Sequence, residues 1–233
     1  ESQKEVIHNE KLAALGRFSS GVAHEIRNPL ANISSLAQLI SKAQIDEKNM
    51  RRLKYIITNV EIANKIIKNL LYFASPEEPE YDFNNLNLIL HDILASVEAR
   101  CKKNNIKIIR EIPEELSPIH IDKQKIENAF MNFISNSIEA MTKGGELTIK
   151  VTEDKVTNEM IINIIDTGEG IPEENMDKIL EPFFTTKDEG VGLGMGLAYQ
   201  TIKLQGGRFK IESKEGIGTK VEIKLPIKGE QKK

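Results

Sequence analysis

Gly21-Val22-Ala23-His24-Glu25-Ile26-Arg27-Asn28-Pro29-Leu30 sets an imidazole, a carboxylate and an amide within about one helical turn, in the middle of a long amphipathic segment. Apolar residues read outward from it are Leu12, Leu15, Val22, Ile26, Ile33, Leu36 and Ile40, with Ser19 and Pro29 filling the gaps. The spacings alternate three and four, the heptad signature of a helix packed in a bundle or coiled coil. With Leu12, Ser19 and Ile26 at a and Leu15, Val22 and Pro29 at d, His24 falls at f, farthest from the seam and facing solvent. Asn28, four residues on, shares a face with His24, while Glu25 is adjacent but turned by roughly 100°. Pro29 has no N–H for the carbonyl of Glu25, so the helix is expected to bend there and leave that carbonyl free. Such a bend beside a solvent-facing His–Glu pair costs stability without return unless chemistry takes place nearby. Taken alone, His24 also reads as an ordinary surface histidine. His8, His91 and His120 have no comparable surroundings and read as structural or solvated.

Length and composition narrow the classes. A chain of 233 residues accommodates one large domain or two small ones. The net charge of -3 argues against a broad basic surface, so no nucleic-acid partner is expected. A single cysteine, Cys101, excludes an intramolecular disulfide framework and reads as a small apolar core residue. No run approaches the ~20 apolar residues of a membrane span and no signal peptide is visible, so a cytoplasmic location is expected. Because Glu1 to Lys11 already reads as helix, the chain is expected to be a fragment, with room in a missing N-terminal part for a sensor or membrane region.

The first segment, Ser2 to Ala43, reads as one helix. Gln44 to Lys48 breaks it, with Asp46 as the N-cap of a second helix whose series is Leu53, Ile56, Val60, Ala63, Ile67, Leu70 and Ala74. Two helices on a short loop form a hairpin that leaves an apolar stripe bare, so a homodimer closing a four-helix bundle is expected. An intramolecular coiled coil capping the second domain is the alternative. Residues 1–75 are assigned to this hairpin. The acidic, proline-bearing stretch 76–84 is read as a linker, 85–228 as a second domain and 229–233 as a disordered tail.

In that second domain, helices are expected at Leu86 to Lys103, Asp122 to Met141, Ile171 to Leu180 and Leu193 to Gln205. Strands are expected at Ile106 to Ile112, Pro118 to Ile121, Glu146 to Glu153, Glu159 to Asp166, Arg208 to Ser213 and Thr219 to Leu225. Regular βαβ alternation is lacking, so the fold class is α+β, with a mixed, mostly antiparallel sheet covered on one side by helices.

Four features there carry chemistry. Asn132 and Asn136 project from one side of an otherwise apolar helix, where buried amides need a polar partner or a hydrated metal; tying down a loop would also explain them. Asp166 ends a buried strand before Gly168 and Gly170; its carboxylate can accept from an exocyclic amine while the glycines let the backbone approach a flat ring. Glu181 to Lys187 runs into Gly190, Gly192, Gly194 and Gly196, delivering the chain to a helix N-terminus suited to phosphates. Neither a Walker nor a Rossmann pattern is met. Gly216 to Thr219 opens the last strand with a hydroxyl beside small residues.

Taken together, in order and spacing, these motifs resemble the sensor histidine kinases of two-component systems. His24 to Leu30 resembles the H-box, Asn132 to Asn136 the N-box, Asp166 to Gly170 the first glycine box, Glu181 to Phe184 the F-box, Gly192 to Gly196 the second glycine box, and Gly216 to Thr219 the third. The closest flavour is the nitrogen-regulation type. The resemblance implies a dimerisation and phosphotransfer bundle followed by an α/β-sandwich ATP-binding domain of the Bergerat (GHKL) fold. It implies Mg-ATP as phosphoryl donor and His24 as acceptor, with Glu25 fixing the imidazole tautomer. Asp166 would bind the adenine amine with Gly168, Gly170 and Thr219 around it, Asn136 would hold Mg²⁺, Asn132 would line the phosphate end, and Lys187 with Gly192, Gly194 and Gly196 would wrap the phosphates. It further implies transfer to an aspartate of a response-regulator receiver domain, and Asn28 resembles the residue that positions water for dephosphorylating that partner. Many members carry a basic residue three after the second Asn; here Glu139 stands there, which shifts phosphate contact to Lys187 or to the backbone of the glycine-rich stretch through Gly196, read as a lid. Three rivals share the nucleotide fold: an ATPase switch of the gyrase, MutL and chaperone kind, a kinase of serine or small molecules, and a non-enzymatic dimeric scaffold. The first generally carries a catalytic Glu where Asn132 stands, and the intact Asn136, Asp166 and lid glycines argue against the last.

Overall fold

A computed structural model describes residues 26, 30–40, 46–74, 79–181, 184–187 and 192–227. The chain divides into two compact units, Glu1–Glu77 and Glu78–Lys233. In the first, helix α1 occupies residues 30–40 and helix α2 spans Glu47–Ala74. Asp46 caps α2 as expected: its Oδ1 accepts the backbone N–H of Asn49 at 2.7 Å. Leu53, Val60 and Ile67, seven apart on α2, are buried, as is Ala37 on α1. Four residues of the expected seam are bare: Ile26, Ile33, Leu36 and Ile40 are between 44% and 59% exposed, and Ile56 on α2 is 42% exposed. Most of the long first helix expected from the sequence, with His24, Glu25 and Asn28, lies outside the described residues. No helix among the described residues is long and apolar enough to cross a membrane.

The second unit is an α+β sandwich. Strands β2 (Ile106–Glu111), β4 (Gly145–Asp154), β5 (Glu159–Asp166), β7 (Gly218–Pro226) and β6 (Arg208–Lys214) form one sheet in the order β2-β4-β5-β7-β6. Only β2 and β4 are parallel in it, so the sheet is mixed and mostly antiparallel, as expected. Alternation along β4 sends Leu147, Ile149 and Val151 inward and Lys150 outward. Ile149, Ile164 and Val221 line up across three strands, and Val151, Ile162 and Ile223 form the next row. Helices α3 (Leu86–Lys103), α4 (Lys123–Ala140) and α5 (Gly194–Leu204) supply Leu90, Leu94, Phe130, Phe133, Ile134 and Ile202 to the same core. Burying each of these large side chains is worth about 1.5–3 kcal/mol. Cys101 is fully buried on α3, consistent with an apolar core role.

Two expectations need correction. Ile171 to Leu180 is not a helix: Glu173–Asn175 forms a single 3-10 turn and turns follow to residue 180. That turn buries nothing, and most bonds of the stretch, such as Met176 N–H to Glu173 O, span three residues, with a single four-residue bond from Ile179 N–H to Asn175 O, so no apolar face repays helix nucleation. The stretch read as linker, 76–84, ends in a strand: β1 (Asp82–Asn84) pairs antiparallel with β3 (Ile119–Ile121). Tyr81 and Phe83 pack on the ring of His120, and the Tyr81 hydroxyl donates to the carbonyl of Leu204 at 2.6 Å. Asp122, the N-cap of α4, accepts from Lys125 N–H and, through Oδ2, from Glu80 N–H at 3.0 Å. Its own N–H donates to Gln205 Oε1.

Candidate nucleotide site along α4

The polar side chains singled out in the sequence's second half gather along α4. Midway along α4, half-buried Asn132 lies against the first turn of α5: a methyl group built on Gly194 would sit 3.4 Å from Asn132 Oδ1. That turn follows Leu193, which offers no side-chain cap. Uncapped N–H groups at the positive end of a helix favour phosphate. Gly192 precedes it in the left-handed region, and Gly196 is buried.

One turn further along α4, Asn136 Oδ1 accepts from Lys187 Nζ at 3.3 Å. The amide oxygen is uncharged, hard and already in contact with a cationic group. That chemistry fits Mg²⁺, which takes few protein ligands and keeps water and phosphate oxygens for the rest. Among the described residues no group of three or more His, Cys, Asp or Glu could hold a metal by itself.

Next to Asn136, Ser137 points the other way, into the core, and its hydroxyl hydrogen-bonds Asp166. Asp166 is 5% exposed. Its Oδ1 accepts the N–H of Gly168 at 2.9 Å and of Thr219 at 3.2 Å, so the carboxylate is aimed by two backbone donors. Burial raises its pKa above the usual carboxylate range, and the bonds from Gly168, Ser137 and Thr219 only partly offset this. A carboxylate so placed gains from an amine donor that partners it.

At the end of α4, Ala140 explains the glycines. A Cβ on Gly168 would lie 2.8 Å from the Ala140 carbonyl oxygen, and the Glu169 N–H donates to that carbonyl at 3.0 Å. Gly170 has φ +71° and leaves no room for a side chain beside the Lys214 carbonyl. Thr219 reaches the same corner: its hydroxyl is 2.9 Å from Ser213 Oγ, which accepts from Ile171 N–H at 2.8 Å. Ser137 and Ser213 were missed by sequence reading. The signal for Ser137 was present, since it follows Asn136 on the buried side of the helix; Ser213, in an alternating strand, offered none.

The structure thus brings Asp166, Gly168, Gly170 and Thr219 into one corner, Asn136 and Lys187 into contact, and Asn132 beside Gly194. Pro182, Phe183 and residues 188–191 lie outside the described residues.

Two family models match the chain in order. The His Kinase A (phospho-acceptor) domain matches residues 14–79, and the histidine kinase-, DNA gyrase B- and HSP90-like ATPase matches residues 121–229. The signal transduction histidine-protein kinase AtoS of Escherichia coli is 32% identical over 227 residues, covering 97% of this chain and 37% of its own length. Sporulation kinase C of Bacillus subtilis is 31% identical over 223 residues, 95% of this chain and 51% of its own. The chain therefore spans between about a third and a half of these relatives. Among solved structures, histidine kinase ThkA in complex with the response regulator TrrA superposes with a TM-score of 0.69 at 26% identity, over 99% of this chain and 67% of that one. Full-length ShkA with AMPPNP superposes at 0.81 over 91% of this chain and 46% of that one; at 19% identity it speaks to the fold alone.

Proposed function

The chain belongs to the sensor histidine kinases, and on that premise we propose that it is the autophosphorylating core of one, of the nitrogen-regulation-like type, working in the cytoplasm where ATP is. The observation that carries the proposal is the pairing, in one chain, of a phospho-acceptor match over residues 14–79 with a site along α4 that offers a buried adenine-type acceptor, Asp166, and a phosphate-type helix terminus at Gly194. The functional division is taken as residues 1–75 for phosphotransfer, a linker from residue 76 that ends ahead of β1, and β1 through residue 228 for nucleotide binding, with 229–233 as a tail.

In this reading ATP enters with its purine amine on Asp166, Gly168, Gly170 and Thr219 shaping the ring's slot. Asn132, Lys187 and the N–H groups around Gly192, Gly194 and Gly196 hold the phosphates. Asn136 would hold Mg²⁺, which when bound neutralises the phosphate charge. His24 attacks the γ-phosphorus through Nε2; the bond to the bridging oxygen breaks, ADP leaves, and a phosphoramidate forms. Glu25 accepts the Nδ1 hydrogen, which fixes the attacking tautomer and stabilises the positive charge that grows on the ring. Positioning supplies most of the rate, because the acceptor is otherwise an ordinary imidazole.

Ile26, Ile33, Leu36 and Ile40 are exposed at the alternating spacing of a seam, which supports a homodimer through the hairpin. The phosphoryl group would pass to an aspartate of a response-regulator receiver domain docking near His24 and along Ile33 to Ser41. Asn28 would orient water for the reverse, phosphatase, reaction. Incubation with γ-labelled ATP and Mg²⁺ tests the reading: label stable in alkali and lost in acid is expected. Acid-stable label would indicate a hydroxyl kinase instead, and release of free phosphate without label an ATPase switch.

A further inference from the structure

Glu139, one turn beyond Asn136 on α4, has no part in the chemistry above, yet its carboxylate is shared between two cations. Oε2 accepts from Lys187 Nζ at 2.6 Å and Oε1 from Arg100 at 2.9 Å. The same Lys187 ammonium reaches Asn136 Oδ1 at 3.3 Å. One ammonium therefore bridges the amide assigned to the divalent cation and the carboxylate beside it. Lys187 follows a small local turn in which its backbone N–H donates to Thr185 Oγ1 at 3.1 Å. Arg100 comes from α3 and turns one carboxylate oxygen toward itself, leaving the other for the lysine. All three charged side chains are about two-fifths exposed, so the pairs exchange partners at little cost. Burial pushes the Glu139 pKa up, but the bonds from Lys187 and then Arg100 outweigh it and hold the group below its usual range, so it is a carboxylate at neutral pH.

An ammonium on Asn136 Oδ1 and a divalent cation on the same oxygen exclude each other, by contact and by like charge. Resting on the nucleotide-site reading, we propose that Glu139 is a positioning residue for Lys187. Fixed by Arg100, it parks the ammonium on Asn136, and the phosphates of ATP must draw the ammonium away before that amide can take the metal. Glu139 and the phosphates thus compete for one lysine. The position where a basic side chain would add to phosphate binding instead holds an acid that regulates a basic group borrowed from the lid.

A double-mutant cycle on the full 233-residue chain tests this, with the ATP dissociation constant measured by calorimetry in EDTA and again in excess Mg²⁺. Glu139→Gln is expected to tighten ATP by about two- to fivefold, the size of an exposed ion pair released. In the Lys187→Met background the same substitution is expected to change it by less than about 1.5-fold. Equal tightening in both backgrounds would reduce Glu139 to a bulk negative charge and overturn the proposal. Weaker ATP binding in the parent background, in Mg²⁺ alone, would make Glu139 a cation ligand and overturn it too. Failure of the unsubstituted chain to bind ATP would overturn the nucleotide site itself, and the positioning role with it.

Discussion

The two units bury their apolar residues in different ways. In the second, Leu90, Phe130, Ile134, Ile162 and Ile223 are wholly inaccessible, and the sheet and three helices close over them without help. In the first, among the described residues, Leu53, Val60 and Ile67 of α2 are covered while Leu36 stands 59% exposed and Ile40 50%. A sheet buries one face against helices of its own chain, whereas a helical pair with stripes on more than one side needs another pair to finish it. The second unit therefore closes its own core, whereas the described part of the hairpin leaves an apolar stripe that the proposed dimer would cover.

The contrast can be broken at its strongest point first. Phe130→Ala should cost the second unit about 3–5 kcal/mol, read as a fall in its denaturant midpoint, with little change in the helical signal of the first. If both units lost stability together, they would form one cooperative block and the comparison would fail. Leu36→Arg should act on the other side. Placing a charge in the seam should weaken self-association by roughly 100-fold, about 3 kcal/mol, in sedimentation experiments, and leave ATP affinity unchanged. An unchanged dimer would move the seam elsewhere.

Much of this contrast was readable in the residues, for a physical reason. Period governs the second unit and the second helix of the first: alternation along β4 buries Leu147, Ile149 and Val151, and the series Leu53, Val60 and Ile67 on α2 is buried, whereas the described members of the run that ends at Ile40 are exposed. Capping was equally local, so Asp46 was assigned from sequence and is found capping α2. Contacts between residues far apart in the chain were not legible. Strand β1 is too short and polar to announce itself, and it exists because β3, some forty residues later, offers an edge. The Arg100–Glu139–Lys187 chain joins three elements, and no spacing rule links its members. The turn region at Glu173 was overread because a few apolar residues mimic a helical period without a surface to bury against. At the site, Asp166 and the asparagines stood out as polar residues in apolar surroundings, whereas Ser137 and Ser213, which act on the same corner, did not.

Smaller effects sharpen the comparison. Asp166→Asn should weaken ATP by roughly 10- to 100-fold, the loss of a charge-assisted bond to the purine amine. Stability should move the other way. The folded-state pKa of Asp166 is raised, so its ionised form costs folding energy at neutral pH, and that cost disappears as pH falls through the raised value. The Asn variant should hence be at least as stable as the parent at pH 7, with the advantage shrinking as the pH enters the carboxylate range. A variant that is less stable at every pH would show that the carboxylate serves the fold rather than the ligand. Asp46→Ala, the mildest change, should destabilise only the helical unit, by about 1 kcal/mol, through loss of the bond to Asn49 N–H.

The most direct measurement locates the phosphoryl group. After incubation with Mg-ATP and digestion under neutral conditions, mass spectrometry of the peptide from Phe18 to Arg27 should show one added phosphoryl group on His24, absent from the His24→Gln chain. A phosphoryl group on Ser19 or Ser20 of that peptide, or label that persists in the His24→Gln chain, would contradict the account.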